Sequence, residues 1–311
     1  MDFSILYKES FLNGDIESIS KYDLYISAFD NCDRTKQIFE KINASEKKWI
    51  AFPQHKNIEK QELLNSNTYF KDEYKEDDFF IDLFESWNYS TNIRLCIDIT
   101  GFIRPHLLFL IRFLSYKGFK KVDFIYTEPK QYKDADETIF SGFIDEIRTI
   151  EGYSSTIINP NTDNDVLIIA AGYDDNLIAK IAQNKSHCKR RYFIIGFPSL
   201  QPDMYQESII KIEKVKESIG ENKELRFSPA NDPFITAQII SEIIIENPDA
   251  TNIYLSPLST KPQAIGMALY FLWNYKTKPL NIIFPYSNTY ATKHAIGVKR
   301  TWKYTFEFPE K

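Results

Sequence analysis

The 311-residue sequence predicts an α/β protein made of two tandem parallel-sheet units that form an internal pseudo-dimer. Three observations predict it. Apolar runs of strand length alternate with apolar-periodic stretches of helix length, the rhythm of βαβ units with right-handed crossovers. Ile97 to Leu114 reads IDITGFIRPHLLFLIRFL: a buried strand, a polar turn at Thr100-Gly101, and a helix with Pro105 in its first turn. Ile253 to Leu272, IYLSPLSTKPQAIGMALYFL, repeats this device, with Thr260-Lys261-Pro262 where the first copy has Ile103-Arg104-Pro105.

Taken in order, residues 1–20 are polar with a short apolar start and read as an edge strand or an arm. Asp23 to Ala28 reads as a strand, Phe29 to Arg34 as a polar turn and Thr35 to Ile42 as a short helix. A strand at Lys48 to Phe52 stops at Pro53; a charged stretch then leads to a short strand near Phe70 and a periodic helix at Asp77 to Trp87. Strand 94–99, helix 105–116 and strand Val122 to Tyr126 complete the first unit, which is placed at residues 1–130. Residues 131–164, rich in Tyr, Lys, Asp and Gly, read as a connector.

The order then recurs over 165–311. Strands fall at Asp165 to Ala170, Tyr192 to Gly196, Leu225 to Ser228, 252–256 and Leu280 to Phe284. Helices fall at Leu177 to Ala182, Tyr205 to Ile219, Pro233 to Ile245 and 262–274. Thr301 to Phe308 alternates like an edge strand. Landmarks in the two halves keep a near-constant offset: 145 between the Phe52-Pro53 and Phe197-Pro198 pairs, 157 between Arg104 and Lys261 and between Phe70 and Phe227, and 158 between Val122 and Leu280. One insertion accounts for the jump, as an internal duplication requires.

Composition bounds the function. A net charge of −5 argues against a coat for duplex DNA, and no apolar run reaches the ~18 residues of a membrane span. The opening Met1-Asp2-Phe3-Ser4 lacks the apolar core of a secretory signal. Three widely spaced cysteines give neither a disulfide framework nor a zinc motif, so the expectation is a cytoplasmic protein without metal or cofactor.

In open parallel sheets, ligands bind outside the carboxyl ends of strands, where the chain order switches sides. The candidate ligand residues are therefore the turns that follow strands: Phe29, Asp30, Asn31, Thr100, Gly101 and Arg104 in the first unit, and Gly172, Tyr173, Asp174, Ser259, Thr260 and Lys261 in the second. Their hydroxyls, helix-start N–H groups, cations and aromatic faces suit phosphates and bases in one cleft between the units. Tyr286 and Tyr290 after the last strand, and Tyr126 in the first unit, are candidates for stacking on a base.

Catalytic signals are thin. His55, His106, His187 and His294 are scattered, and His106 reads as a capping or surface residue. Glu128, Asp174 and Asp203 are the carboxylates available for acid/base work, although Asp203 also reads as a helix cap, as does Asp232 before Pro233. Lys189-Arg190-Arg191 reads as a solvated helix end.

Asp98, Thr100, Gly101 and Arg104 resemble the D-x-T-x-G/F-R segment of CRISPR-associated Rossmann-fold (CARF) sensor domains, and Ser259-Thr260-Lys261-Pro262 is similar to its T-K-P-M-type version. Two such units in one chain resemble SAVED domains, which are fused CARF-like pairs. The resemblance implies Rossmann-like units that bind a cyclic oligonucleotide second messenger across their junction, in prokaryotic antiphage defence. It also implies an effector or partner protein on a separate chain, since these 311 residues leave no length for an effector domain. Leu255 stands where a second Asp98 would be. Two other readings stay open: an enzyme acting on a nucleotide or phosphosugar, and a structural subunit of a defence complex.

Overall fold

A computed structural model describes residues 2–3, 6–55, 67–72, 74–132, 144–157, 159–220, 222–287 and 295–310. The chain divides into two units: a first made of Leu6–Phe143 with Asn288–Lys311, and a second made of Met1–Ile5 with Ile144–Ser287. Strands and helices are numbered along the chain.

The first unit contains β1 (Lys8–Leu12), β2 (Tyr22–Ala28), α1 (Asp33–Lys41), β3 (Ala44–Ala51), β4 (Thr68–Phe70), α2 (Glu76–Trp87), β5 (Leu95–Asp98), α3 (Arg104–Lys117), β6 (Lys121–Tyr132) and β13 (Ala295–Glu307). Its sheet runs β1-β13-β6-β5-β2-β3-β4, parallel from β6 to β4 and antiparallel at β13 and β1. The second unit contains β7 (Ile144–Ser154), β8 (Val166–Ala171), α4 (Asp175–Asn184), β9 (Arg190–Gly196), α5 (Met204–Lys214), α6 (Lys216–Ile219), β10 (Lys223–Ser228), α7 (Pro233–Glu246), β11 (Ile253–Pro257), α8 (Lys261–Asn274) and β12 (Leu280–Ser287). Its sheet runs β10-β9-β8-β11-β12-β7, with only β7 antiparallel. Each unit is therefore Rossmann-like.

The sequence explains the central strands. β8, VLIIAA, is apolar at every position and buried at every position, as a parallel strand covered on both faces must be. Gly118, at φ 92°, ends α3 in the left-handed conformation that a side chain disfavours. Asp232 caps α7, accepting from the backbone N–H groups of Phe234 and Ile235, with Pro233 at the first helical position. The aromatic composition reappears in the first unit's core, where the Phe52 ring lies 5.6 Å from both Phe79 and Phe102.

Both parallel cores have the same order. Counting each unit's parallel strands along the chain, the order is third, second, first, fourth, fifth. The register also recurs. Cys96 faces Asp123 across β5 and β6, and Ile253 faces Leu280 across β11 and β12, 157 residues further on in both strands. Tyr25 faces Cys96 while Val166 faces Ile253, so β8 stands 141 residues beyond β2. Ladder pairing further matches Ile50 to Phe193, an offset of 143, so the two Phe-Pro pairs, at 145, are not equivalent. A shared dipeptide in sequence was a poorer guide than strand pairing.

The expected boundaries at 130 and 165 are not those of the sheets. Within the expected connector, Ile144–Ser154 is β7, paired with β12, while 133–143 lies outside the described residues. Its apolar residues Ile144, Ile147, Ile150 and Tyr153 recur every third position with charges between, so the two-residue strand period is hidden, and register shifts interrupt its ladder. β13 sits between β1 and β6 instead of at an edge. Phe3 is buried in the second unit, its N–H donating to Gln238 Oε1 at 3.2 Å. No helix among the described residues is long and apolar enough to cross a membrane.

Candidate functional site

In the first unit the chain switches sides between β2 and β5, and both of their following loops carry candidate residues. They meet tightly. A Cβ on Gly101 would lie 2.2 Å from the Ala28 carbonyl oxygen and 3.2 Å from Asp30 Cγ, so only glycine fits there. Asn31 takes a left-handed φ of 56°, which its short polar side chain tolerates.

Much of this loop pair is internal. The Asp30 carboxylate accepts from the Cys32 N–H at 3.1 Å and the Thr35 hydroxyl at 2.7 Å, fixing the entry to α1. Thr100 is buried, and its hydroxyl accepts from the Thr127 N–H at 3.0 Å. Phe29 packs edge-on against Trp49, and its carbonyl lies 3.3 Å from His55 Nδ1. Of the candidates in this unit, Asn31 and Arg104 are half-buried and the others are buried.

Beneath the turn lies Asp98, fully buried. It accepts from the Thr100 N–H at 2.9 Å and the Tyr25 hydroxyl at 3.1 Å. Burial pushes its carboxyl up to about 6, with the Thr100 and Tyr25 bonds opposing the shift. Burial, followed by the neighbouring Asp98 charge, holds the Tyr25 hydroxyl well above its ordinary value.

Three residues that the sequence does not mark as site residues join this end of the sheet. Arg34 is buried in the first turn of α1 and reaches the Thr127 carbonyl at 2.9 Å. Tyr74 donates to Gln54 Oε1 at 2.9 Å and lies 2.8 Å from His106 Nε2. His55 is buried with the Phe52 ring 5.9 Å away. His106 is neither a cap nor a surface residue: it is 3% exposed, its ring 4.6 Å from Phe52. No periodic signal betrays these partners, because strand order, not sequence distance, brings them together.

The second unit switches sides between β8 and β11. Here the glycine comes from the other loop: a Cβ on Gly172 would lie 2.4 Å from the Leu258 carbonyl oxygen. Asp174 caps α4, accepting from the Leu177 N–H at 3.2 Å. Thr260 caps α8 and donates to the Ala230 carbonyl at 2.5 Å, while Ser259 is buried. Tyr173, Thr260 and Lys261 are half-buried. Gln263, 157 residues after His106, is fully buried and donates to Ser228 Oγ at 2.8 Å.

Several other candidates lie elsewhere. Tyr286 is a residue of β12, and the Arg148 guanidinium lies 3.8 Å from its ring centroid, covering one face. Tyr290 and His294 lie outside the described residues. Tyr126 and Glu128 belong to β6; Tyr126 is buried, and Glu128 accepts from the Trp302 indole at 2.6 Å. Asp203 is exposed at the start of α5 and makes no side-chain cap bond. Glu128 thus belongs to the first unit, and Asp174 and Asp203 to the second, at the starts of two different helices. Arg191 is not at a solvated helix end; it is buried.

No protein-family model matches the chain, and no curated protein matches it. Among solved structures, it is similar to a type III CRISPR defence DNA nuclease activated by cyclic oligoadenylate, at 8% identity and a TM-score of 0.45. The match covers 85% of this chain and 65% of the nuclease chain.

Proposed function

We propose that this chain is a cytoplasmic sensor in prokaryotic antiphage defence, binding a nucleotide second messenger of the cyclic-oligonucleotide class and signalling to an effector on a separate chain. One observation carries this reading. Arg104 and Lys261, 157 residues apart, are each half-buried and each open a 14-residue helix after the fourth parallel strand of their unit. A helix start offers unpaired N–H groups and the positive end of the helix dipole, and a cation there completes a phosphate site. The ligand class comes from the resemblance at Asp98, Thr100, Gly101 and Arg104. On this reading Asp98 and Thr100 shape the first unit's turn, Arg104 and Asn31 are that unit's ligand-binding residues, and Tyr173 and Lys261 are those of the second unit.

The repeated strand order and register support an origin of the two units by duplication. The enzyme reading has less support, since Asp174 caps a helix and Glu128 is bonded to Trp302. Calorimetry with a panel of cyclic di-, tri- and tetranucleotides tests the proposal. At least one is expected to bind, with Arg104→Ala and Lys261→Ala each weakening it tenfold or more. A folded protein that binds none ends the proposal. Turnover of a bound nucleotide that is lost in Asp174→Asn or Glu128→Gln would replace it with the enzyme reading.

A further inference from the structure

At the amino ends of the second unit's strands, opposite the loops just described, Asp165, His187 and Cys188 converge. Asp165 precedes β8, and His187 and Cys188 precede β9. One carboxylate oxygen, one imidazole nitrogen and the thiol sulfur all lie within 4.8 Å of one another. His187 Nε2 is 3.0 Å from Asp165 Oδ2. We propose that these three side chains form a binding site for a divalent zinc-type ion, with water as the fourth ligand.

Donor chemistry points to this metal. One oxygen, one nitrogen and one sulfur form a borderline set that suits four-coordinate Zn2+, whose ligand atoms stand roughly 3.3–3.7 Å apart. The ion replaces the hydrogen bond between His187 Nε2 and Asp165 Oδ2, with the neutral imidazole carrying its one proton on Nδ1, and the Cys188 thiol proton passes to solvent as the sulfur–metal bond forms.

The surroundings are built like the second layer of a metal centre. Asp165 is 1% exposed, and its Oδ1 accepts from the Thr251 hydroxyl at 2.6 Å and from Asn252 Nδ2 at 2.8 Å. These bonds orient the carboxylate and leave Oδ2 facing His187. Arg191 clamps the loop that carries the other two donors, its guanidinium donating to the carbonyls of Cys188 and Ser186, each at 2.9 Å, and of Lys185 at 3.4 Å. The Tyr254 ring borders the site, 6.2 Å edge-on from the His187 ring, and Lys185 rests its ammonium 3.9 Å from the Tyr254 centroid. The His187 side chain is 39% exposed, which gives an ion its way in and the water its place.

The test is Co2+ titration of the full chain after chelation, read by absorption. A folded wild type is expected to take up one equivalent, with a thiolate-to-cobalt band in the near ultraviolet and tetrahedral bands in the visible, both removed by added Zn2+. Cys188→Ser should abolish the near-ultraviolet band, and His187→Ala should weaken binding at least tenfold. His187 is exposed enough for its variant to fold even if Asp165→Asn does not. Absence of the band in folded wild type, its persistence in Cys188→Ser, or unchanged affinity in His187→Ala overturns the site. None of these outcomes depends on nucleotide binding.

Discussion

Asp98 and Leu255 hold the same place in two sheets of the same order and register, yet their surroundings are opposites. In the first unit Tyr25 and Ser27 of β2 both bond the Asp98 carboxylate from the neighbouring strand. In the second, the corresponding residues are Val166 and Ile168, against Ile253 and Leu255, all apolar and buried. One topology therefore accommodates either a buried hydrogen-bonded carboxylate or a plain aliphatic core. Backbone pairing fixes the architecture, and the side chains at the switch point are left to vary.

The largest expected effect tests what the two units share. Gly101→Ala and Gly172→Ala each push a methyl group to within 2.4 Å or less of a carbonyl oxygen. Each should cost roughly 4 kcal/mol or more, seen as a fall in the thermal unfolding midpoint. A mild effect at either position would show that the paired loops of that unit are not held as described.

Next comes the charge itself. Asp98 holds its proton more tightly in the folded chain than in the unfolded one, its carboxyl moving from 3.8 to about 6. Its contribution to stability is complete below about pH 4 and is lost as pH rises through about 6, by up to about 3 kcal/mol. Urea unfolding between pH 4 and pH 8 should show this loss in the wild type and not in Asp98→Asn. Parallel curves for the two proteins would remove the contrast with Leu255.

A smaller contrast concerns the third residue of each switch-point helix. Tyr74→Phe deletes the hydroxyl shared by His106 and Gln54 and should cost about 1–2 kcal/mol in denaturant unfolding. Gln263→Leu removes the bond to Ser228 and should cost a similar amount or less. The smallest difference separates two aspartates that the sequence presents alike. Asp232→Ala should lose about 1 kcal/mol with its two cap bonds, whereas Asp203→Ala should leave the melting temperature unchanged.

Most of the fold was legible because β2, β5, β8 and β11 are short apolar runs bounded by turn residues, and α3 and α8 each carry Pro at the second helical position. β7 was not, because charged residues break its alternation and its ladder shifts register. The loops at the two switch points were legible as the polar turns that end β2, β5, β8 and β11. Their internal wiring was not: Asp30 and Asp174 spend their carboxylates on helix starts, and Tyr74 reaches His106 from 32 residues away in the chain. Such roles follow from which strands lie side by side, a fact no local pattern encodes.

The interleaving of the two units has a consequence for synthesis. β13, which covers the outer edge of β6 and carries β1 beyond it, begins 163 residues after Tyr132 ends β6. At ~5–20 residues per second, a ribosome needs roughly ten to thirty seconds to supply it. The earlier-translated sheet thus stays open along one side while the later one acquires all six of its strands, so a nascent chain completes its halves in the reverse of the order in which it starts them.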